Sequence, residues 1–146
     1  MSQTKYKLSD DLKTTCLSLV KGYDRRVKLY RERREAVLSG NAPAAVKISG
    51  NNSIADSTAD KAEKLVKIEE LFDTRAMRAV EQAINVAGKE LHSDKERQKM
   101  IDCIMESCTN GRGFCFAHFD LHMHKDTFYE RRREFLWNIA DYLNLL

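Results

Sequence analysis

The sequence predicts an all-α protein: a long antiparallel helical hairpin over residues 1–92, followed by a trihelical helix-turn-helix over residues 93–146. Three observations carry this. Apolar residues recur at steps of three and four through both long segments, the period of one helix face. No stretch alternates apolar and polar residues as a half-buried strand does. The grain of the chain changes after His92, where helix-start and helix-stop residues fall close together.

The elements follow in chain order. Ser9 is a good N-cap, and Asp10 and Asp11 sit against the positive end of a helix dipole. From there Leu12, Cys16, Leu19, Tyr23, Val27 and Tyr30 form one stripe, which predicts a single helix running to Leu38. Thirty helical residues would span roughly 45 Å, too long for a compact ball, so a hairpin or a dimer is implied. Residues 39–57 hold the only proline, Pro43, with several Gly, Asn and Ser, and read as a flexible connection. A second long helix starts near Ser57, its stripe being Leu65, Ile68, Phe72, Ala76, Val80, Ala83, Ala87 and Leu91. Ser93-Asp94-Lys95-Glu96 is a capping box opening a third helix, whose apolar face is Ile101, Ile104, Met105 and Cys108. Asn110-Gly111-Arg112-Gly113 breaks the chain. Phe114 to Leu121 suits a short aromatic helix, and Lys125 to Leu143 a final long one.

Composition narrows the function classes. With 146 residues, 42% apolar and 32% charged, the chain is a folded helix-rich domain, and two large domains are excluded. No apolar run reaches eighteen residues and the first ten are polar, so neither a membrane span nor a secretory leader is expected. The expected location is the cytoplasm, with reduced cysteines. The net charge of +3 is mild. Residues 1–40 hold ten Lys/Arg against five Asp/Glu, 41–92 seven against eight, and 93–146 eight against nine, so only the first segment is basic. Glycine-rich phosphate loops, H-E-x-x-H and G-x-S-x-G are absent. Neither an enzyme activity nor a cofactor is expected.

The joint before the last helix carries the functional reading. Leu121, Met123 and Phe128 have the spacing of three apolar residues that clamp a turn between two helices. Lys125, Asp126, Thr127 and Tyr129 would then project from the leading end of the final helix, where base edges are reached. Arg131 and Arg133 are candidates for phosphate contacts. Phe128, Arg132, Phe135, Ile139 and Leu143 mark one face, apolar apart from Arg132.

Thr127-Phe128-Tyr129-Glu130-Arg131-Arg132-Arg133-Glu134-Phe135, followed by Ile139-Ala140-Asp141-Tyr142-Leu143-Asn144-Leu145, resembles the ending of phage late-gene transcription activators of the ArpU/RinA type. That ending is similar in turn to sigma-factor region 4. The resemblance implies a phage or prophage transcription regulator that binds duplex DNA; its hairpin is expected to dimerise, which the length of the helices suggests, or to contact RNA polymerase or another transcription protein. Where the pattern has Ala, a turn Gly and a Ser cap, this chain has His118, His122 and His124. Histidine adopts positive φ at a turn less easily than glycine.

Other readings of the same residues stay open. All four His and three of the four Cys lie between His92 and His124, and Cys115, His118 and His122 with Cys108 have spacing that suits tetrahedral zinc. Cys103 and Cys108 also fit a buried apolar face. The run Arg25, Arg26, Lys28, Arg31, Arg33, Arg34 reads as a DNA-backbone contact, a surface for an acidic partner, or a solvated helix face. The rival to DNA binding is a protein interaction module laying its Phe128, Phe135 and Ile139 stripe into a partner groove.

Overall fold

The computed structural model describes residues 5–40, 57–91, 93–110 and 121–146. Among them there are six helices and no strand: α1 (Asp10–Lys21), α2 (Tyr23–Leu38), α3 (Ser57–Glu70), α4 (Phe72–Val86), α5 (Asp94–Asn110) and α6 (Lys125–Tyr142). No helix among these residues is long and apolar enough to cross a membrane. The expected short helix at 114–121 lies outside the described residues, apart from the non-helical Leu121.

Each of the two expected long helices is interrupted once. The first stops at Gly22, whose N–H reaches Ser18 O at 3.1 Å. Glycine is about 1 kcal/mol poorer than alanine inside a helix, which makes it the weakest link in that segment. The second is interrupted at Leu71, whose N–H bonds to Ile68 O, three residues back, at 3.2 Å. This tightened turn advances the register, so Leu71 takes a half-buried place and Phe72 turns outward. The expectation of Phe72 as a core residue is therefore corrected: it is 61% exposed, with the Arg26 guanidinium 5.9 Å from its ring centre.

The chain divides into two compact units, Met1–Gly22 with Arg78–Leu146, and Tyr23–Met77. The expected boundary at residue 92 does not coincide with this division, because α1 packs on α5 and α6. The reason lies in composition. α1 buries Cys16, Leu19 and Val20, whereas α2, with six Lys/Arg among its sixteen residues, buries only Val37.

In the unit Tyr23–Met77, α2 packs against α3 around Val37 and Ile68, flanked by Tyr30, Leu65 and Leu71. The Tyr30 hydroxyl donates to Glu69 Oε2 at 2.6 Å. Asp73 receives Arg26 Nε at 3.3 Å and Arg33 Nη1 at 3.5 Å.

The other unit has the larger core, built from Cys16 and Leu19 of α1, Met100 and Ile104 of α5, and Phe128, Phe135 and Ile139 of α6. Arg97 ties it together at one end of α4. Its Nε donates to Ala87 O at 2.6 Å, and its Nη2 to Ile84 O and Asn85 O, both at 2.8 Å. These are the carbonyls a helix C-terminus leaves without intrahelical partners, and a cation there also complements the dipole. Gly88 follows with φ +67; a Cβ at that position would stand 2.7 Å from Met100 Cε and 3.2 Å from Arg97 Cγ. A side chain at residue 88 would thus crowd the guanidinium stem.

The capping signals at α5 hold in part. Ser93 Oγ accepts the Glu96 N–H at 3.3 Å, but the Glu96 carboxylate turns to Lys99 Nζ at 3.2 Å and leaves the box half made. At the far end of α6, Leu145 N–H bonds to Ala140 O and Asn144 N–H to Asp141 O. This pair of bonds is a Schellman ending, with Asn144 at φ 58 in the left-handed position.

Candidate nucleic-acid interface

α6 begins abruptly after four non-helical residues, 121–124. His124 has φ −64 and ψ 141, and its Nδ1 accepts the Asp126 N–H at 3.1 Å. Histidine thus occupies the capping place, supplying through an imidazole nitrogen the acceptor that a serine oxygen would provide. The backbone here is ordinary; Asn144 is the one non-glycine residue with positive φ among the described residues, so neither His122 nor His124 needs the strained turn that the sequence raised. Of the clamp residues, Leu121 and Phe128 are buried and Met123 is half-buried. Leu121, His122 and Met123 also line a cleft of about 230 Å³ with Leu91, Ser93 and Glu96.

The helix repeat then decides which side chains face outward. Phe128, Phe135, Leu136, Ile139 and Ala140 turn inward and are 1% exposed or less. Lys125, Asp126 and Thr127 are exposed at the leading end, and the Asp126 side chain is 91% accessible. Tyr129 is half-buried with its ring edge-on to Phe128, the centroids 5.5 Å apart. Arg133 is exposed.

Arg131 differs from the expectation of a phosphate contact. Its Nε lies 2.8 Å from Glu90 Oε1, and its Nη1 lies 3.3 Å from Glu134 Oε2. Two carboxylates already balance its charge. Arg132 is half-buried, its guanidinium beside the Cys108 thiol. Burial pushes the Cys108 thiol up from its ordinary value, while Arg132 and Lys13 pull the other way. The outward face of α6 is mixed in sign, since Asp126 and Asp141 are exposed and Glu130 and Glu134 partly so.

The basic run of α2 is also divided by its helix. Arg26 and Arg33 are engaged by Asp73, and Arg34 lies over the Tyr30 ring at 5.6 Å. Arg25, Lys28 and Arg31 are exposed, but so are Asp24, Glu32 and Glu35. At helical spacing these alternate as i, i+4 pairs of opposite sign, such as Asp24 with Lys28. The exposed face of α2 is charge-balanced rather than a basic stripe.

Two further readings meet the structure here. Phe128, Phe135 and Ile139 are consumed by the core of their own unit, so that stripe is not available to a partner groove. Of the zinc set, Cys115 and His118 lie outside the described residues, His122 is exposed, and Cys108 is buried beside two cations. Among the described residues no three His, Cys, Asp or Glu side chains converge on a metal position.

Comparison with known protein families, curated proteins and solved structures finds no match. The residues of α6 and their surroundings therefore carry the functional argument. Sequence reasoning located that helix and its exposed start. It could not locate Glu90 beside Arg131, or Cys108 beside Arg132, because those neighbours lie 41 and 24 positions away along the chain.

Proposed function

We propose that this chain is a phage or prophage-type transcription regulator, which binds duplex DNA through a helix-turn-helix with α6 as its recognition helix. The observation that carries the reading is the start of α6. Lys125, Asp126 and Thr127 stand exposed there, while Phe128 immediately after them is fully buried and anchors the helix. A helix presented this way offers its first turn to the major groove. Lys125, Asp126, Thr127 and Tyr129 then read base edges, and Arg133 contacts phosphate. In this reading α2 and α3 form a helical hairpin that serves for dimerisation or for contact with RNA polymerase or another transcription protein, in the cytoplasm of the bacterial host. The resemblance of Thr127 to Leu145 to the ArpU/RinA ending supports the same assignment.

The test is selection from a pool of random duplexes with the intact protein. Recovery of a common sequence is expected, and a palindromic one would mark a two-fold dimer. Enrichment of no sequence, together with binding that does not change with salt, would refute the proposal.

A further inference from the structure

The recognition helix carries no net positive charge: α6 exposes acidic groups alongside Lys125 and Arg133, and residues 93–146 carry eight Lys/Arg against nine Asp/Glu. Phosphate affinity must be supplied from elsewhere in the same unit. The amino-terminal segment before α1 offers it. Tyr6 sits edge-on to Trp137 of α6, ring centroids 5.5 Å apart and planes at 65°. On either side of Tyr6, Lys5 and Lys7 are exposed, and Lys5 Nζ is 5.4 Å from the centre of the Tyr6 ring. Arg133 precedes Trp137 by four residues, one turn earlier on the same side of α6. The exposed carboxylates nearest along the chain are Asp141, one turn further on in α6, and Asp10 and Asp11, which open α1 three and four residues after Lys7.

We infer that Lys5, Tyr6 and Lys7 form a docked arm that contacts DNA phosphates beside the groove α6 enters, with Trp137 as its seat and Arg133 as its neighbour. Trp137 lies twelve residues beyond Lys125, roughly 18 Å along the helix axis. When the first turn of α6 is at the base edges, its far half lies toward the rim of the groove, where the backbone phosphates are. Seating Tyr6 on Trp137 orders the arm before DNA arrives, so less chain entropy is lost on binding than for a free tail. The inference rests on the proposed DNA binding and names a contact which that reading did not include.

The experiment measures affinity against salt for two probes, a duplex recovered by the selection and a random-sequence duplex of equal length. It compares intact protein with Lys5→Ala/Lys7→Ala, Tyr6→Ala and Tyr6→Phe. The double lysine variant should flatten the slope of log affinity against log salt by about 1.8 for both probes, a loss of order 60-fold at 0.1 M salt. Tyr6→Ala removes no charge, yet should shift the slope in the same direction by unseating the arm, and Tyr6→Phe should retain the intact slope. Trp137 is the only tryptophan, so its fluorescence reports both the undocking and the arrival of DNA. Intact protein that binds DNA, with an unchanged slope in the lysine variant, overturns the arm and leaves the recognition helix standing. An unchanged slope in Tyr6→Ala overturns the docked seat. Intact protein that binds neither probe overturns the DNA reading and the arm with it.

Discussion

Replacing Arg97 by Met should destabilise the unit that presents α6 by about 2–3 kcal/mol. The substitution keeps an unbranched stem beside Gly88 and removes only the guanidinium. Three hydrogen bonds disappear, of which those to Ala87 O and Ile84 O are partly buried and the one to Asn85 O is exposed. Bonds from a charged donor are worth roughly 1.5–3 kcal/mol each where they are shielded and little where they are not. Two shielded bonds therefore give about 3 kcal/mol, and loss of the cation at the α4 C-terminus adds about 0.5 kcal/mol. Releasing a long side chain recovers about 1 kcal/mol of rotamer entropy, which leaves the stated figure. For a chain of this size that is a fall in Tm of about 8–12 °C. Arg97→Lys should fall between the two, since one ammonium cannot span three carbonyls as the planar fork does. The assay is urea unfolding followed by circular dichroism, with the slope m compared between variants. A Met variant within about 0.5 kcal/mol of the parent at unchanged m would refute the claim that this fork holds the end of α4.

Four other outcomes are expected. Arg133→Ala should flatten the salt dependence of DNA binding by about one phosphate contact, whereas Arg131→Ala should leave that slope unchanged and lower the urea midpoint slightly, because its charge already meets Glu90 and Glu134. Thr74 is 1% exposed and its Oγ1 has no hydrogen-bond partner among the described residues, so Thr74→Val should raise stability by about 1 kcal/mol in the same unfolding assay. Burial raises the Cys16 thiol from 9.0 to about 11. Its contribution is thus complete below pH 9 and is lost as pH rises through that interval; urea midpoints from pH 8 to 11 should fall more steeply for the parent than for Cys16→Ala. Asn144→Ala should lower stability by about 1 kcal/mol because its left-handed φ disfavours a Cβ-bearing residue without Asn's local hydrogen bonding, while Asn144→Gly should be neutral or slightly stabilising in thermal melts.

Signals confined to a few neighbouring residues were legible along the chain. Ser93 and His124 cap the starts of α5 and α6, because caps act over three or four residues, whereas Ser9 stands at the start of α1 with its hydroxyl donated to the Asp11 carboxylate and caps no backbone N–H. The inward set Phe128, Phe135 and Ile139 was readable for the same reason, helical periodicity being a local property. Phe72 was not readable. It satisfied the spacing, and only the shortened turn at Leu71 rotated it out to 61% exposure. The arginines of α2 show the same limit. Their number was plain, and Arg34 over the Tyr30 ring is a pair four residues apart, but that Arg26 and Arg33 meet Asp73 depended on a segment forty or more residues away.

The order of residues by itself determined the helical class, most element starts, and the exposure of Lys125 to Thr127 ahead of a buried Phe128. Tertiary structure decided the rest: that α1 belongs with α5 and α6, that Arg131 meets Glu90 and Glu134 while Arg133 is exposed, and that Tyr6 rests on Trp137. The physical division is one of range. Backbone hydrogen bonding and side-chain periodicity are satisfied within a turn or two of helix, whereas burial and charge pairing are settled by whichever distant segment arrives to supply the other half of the contact.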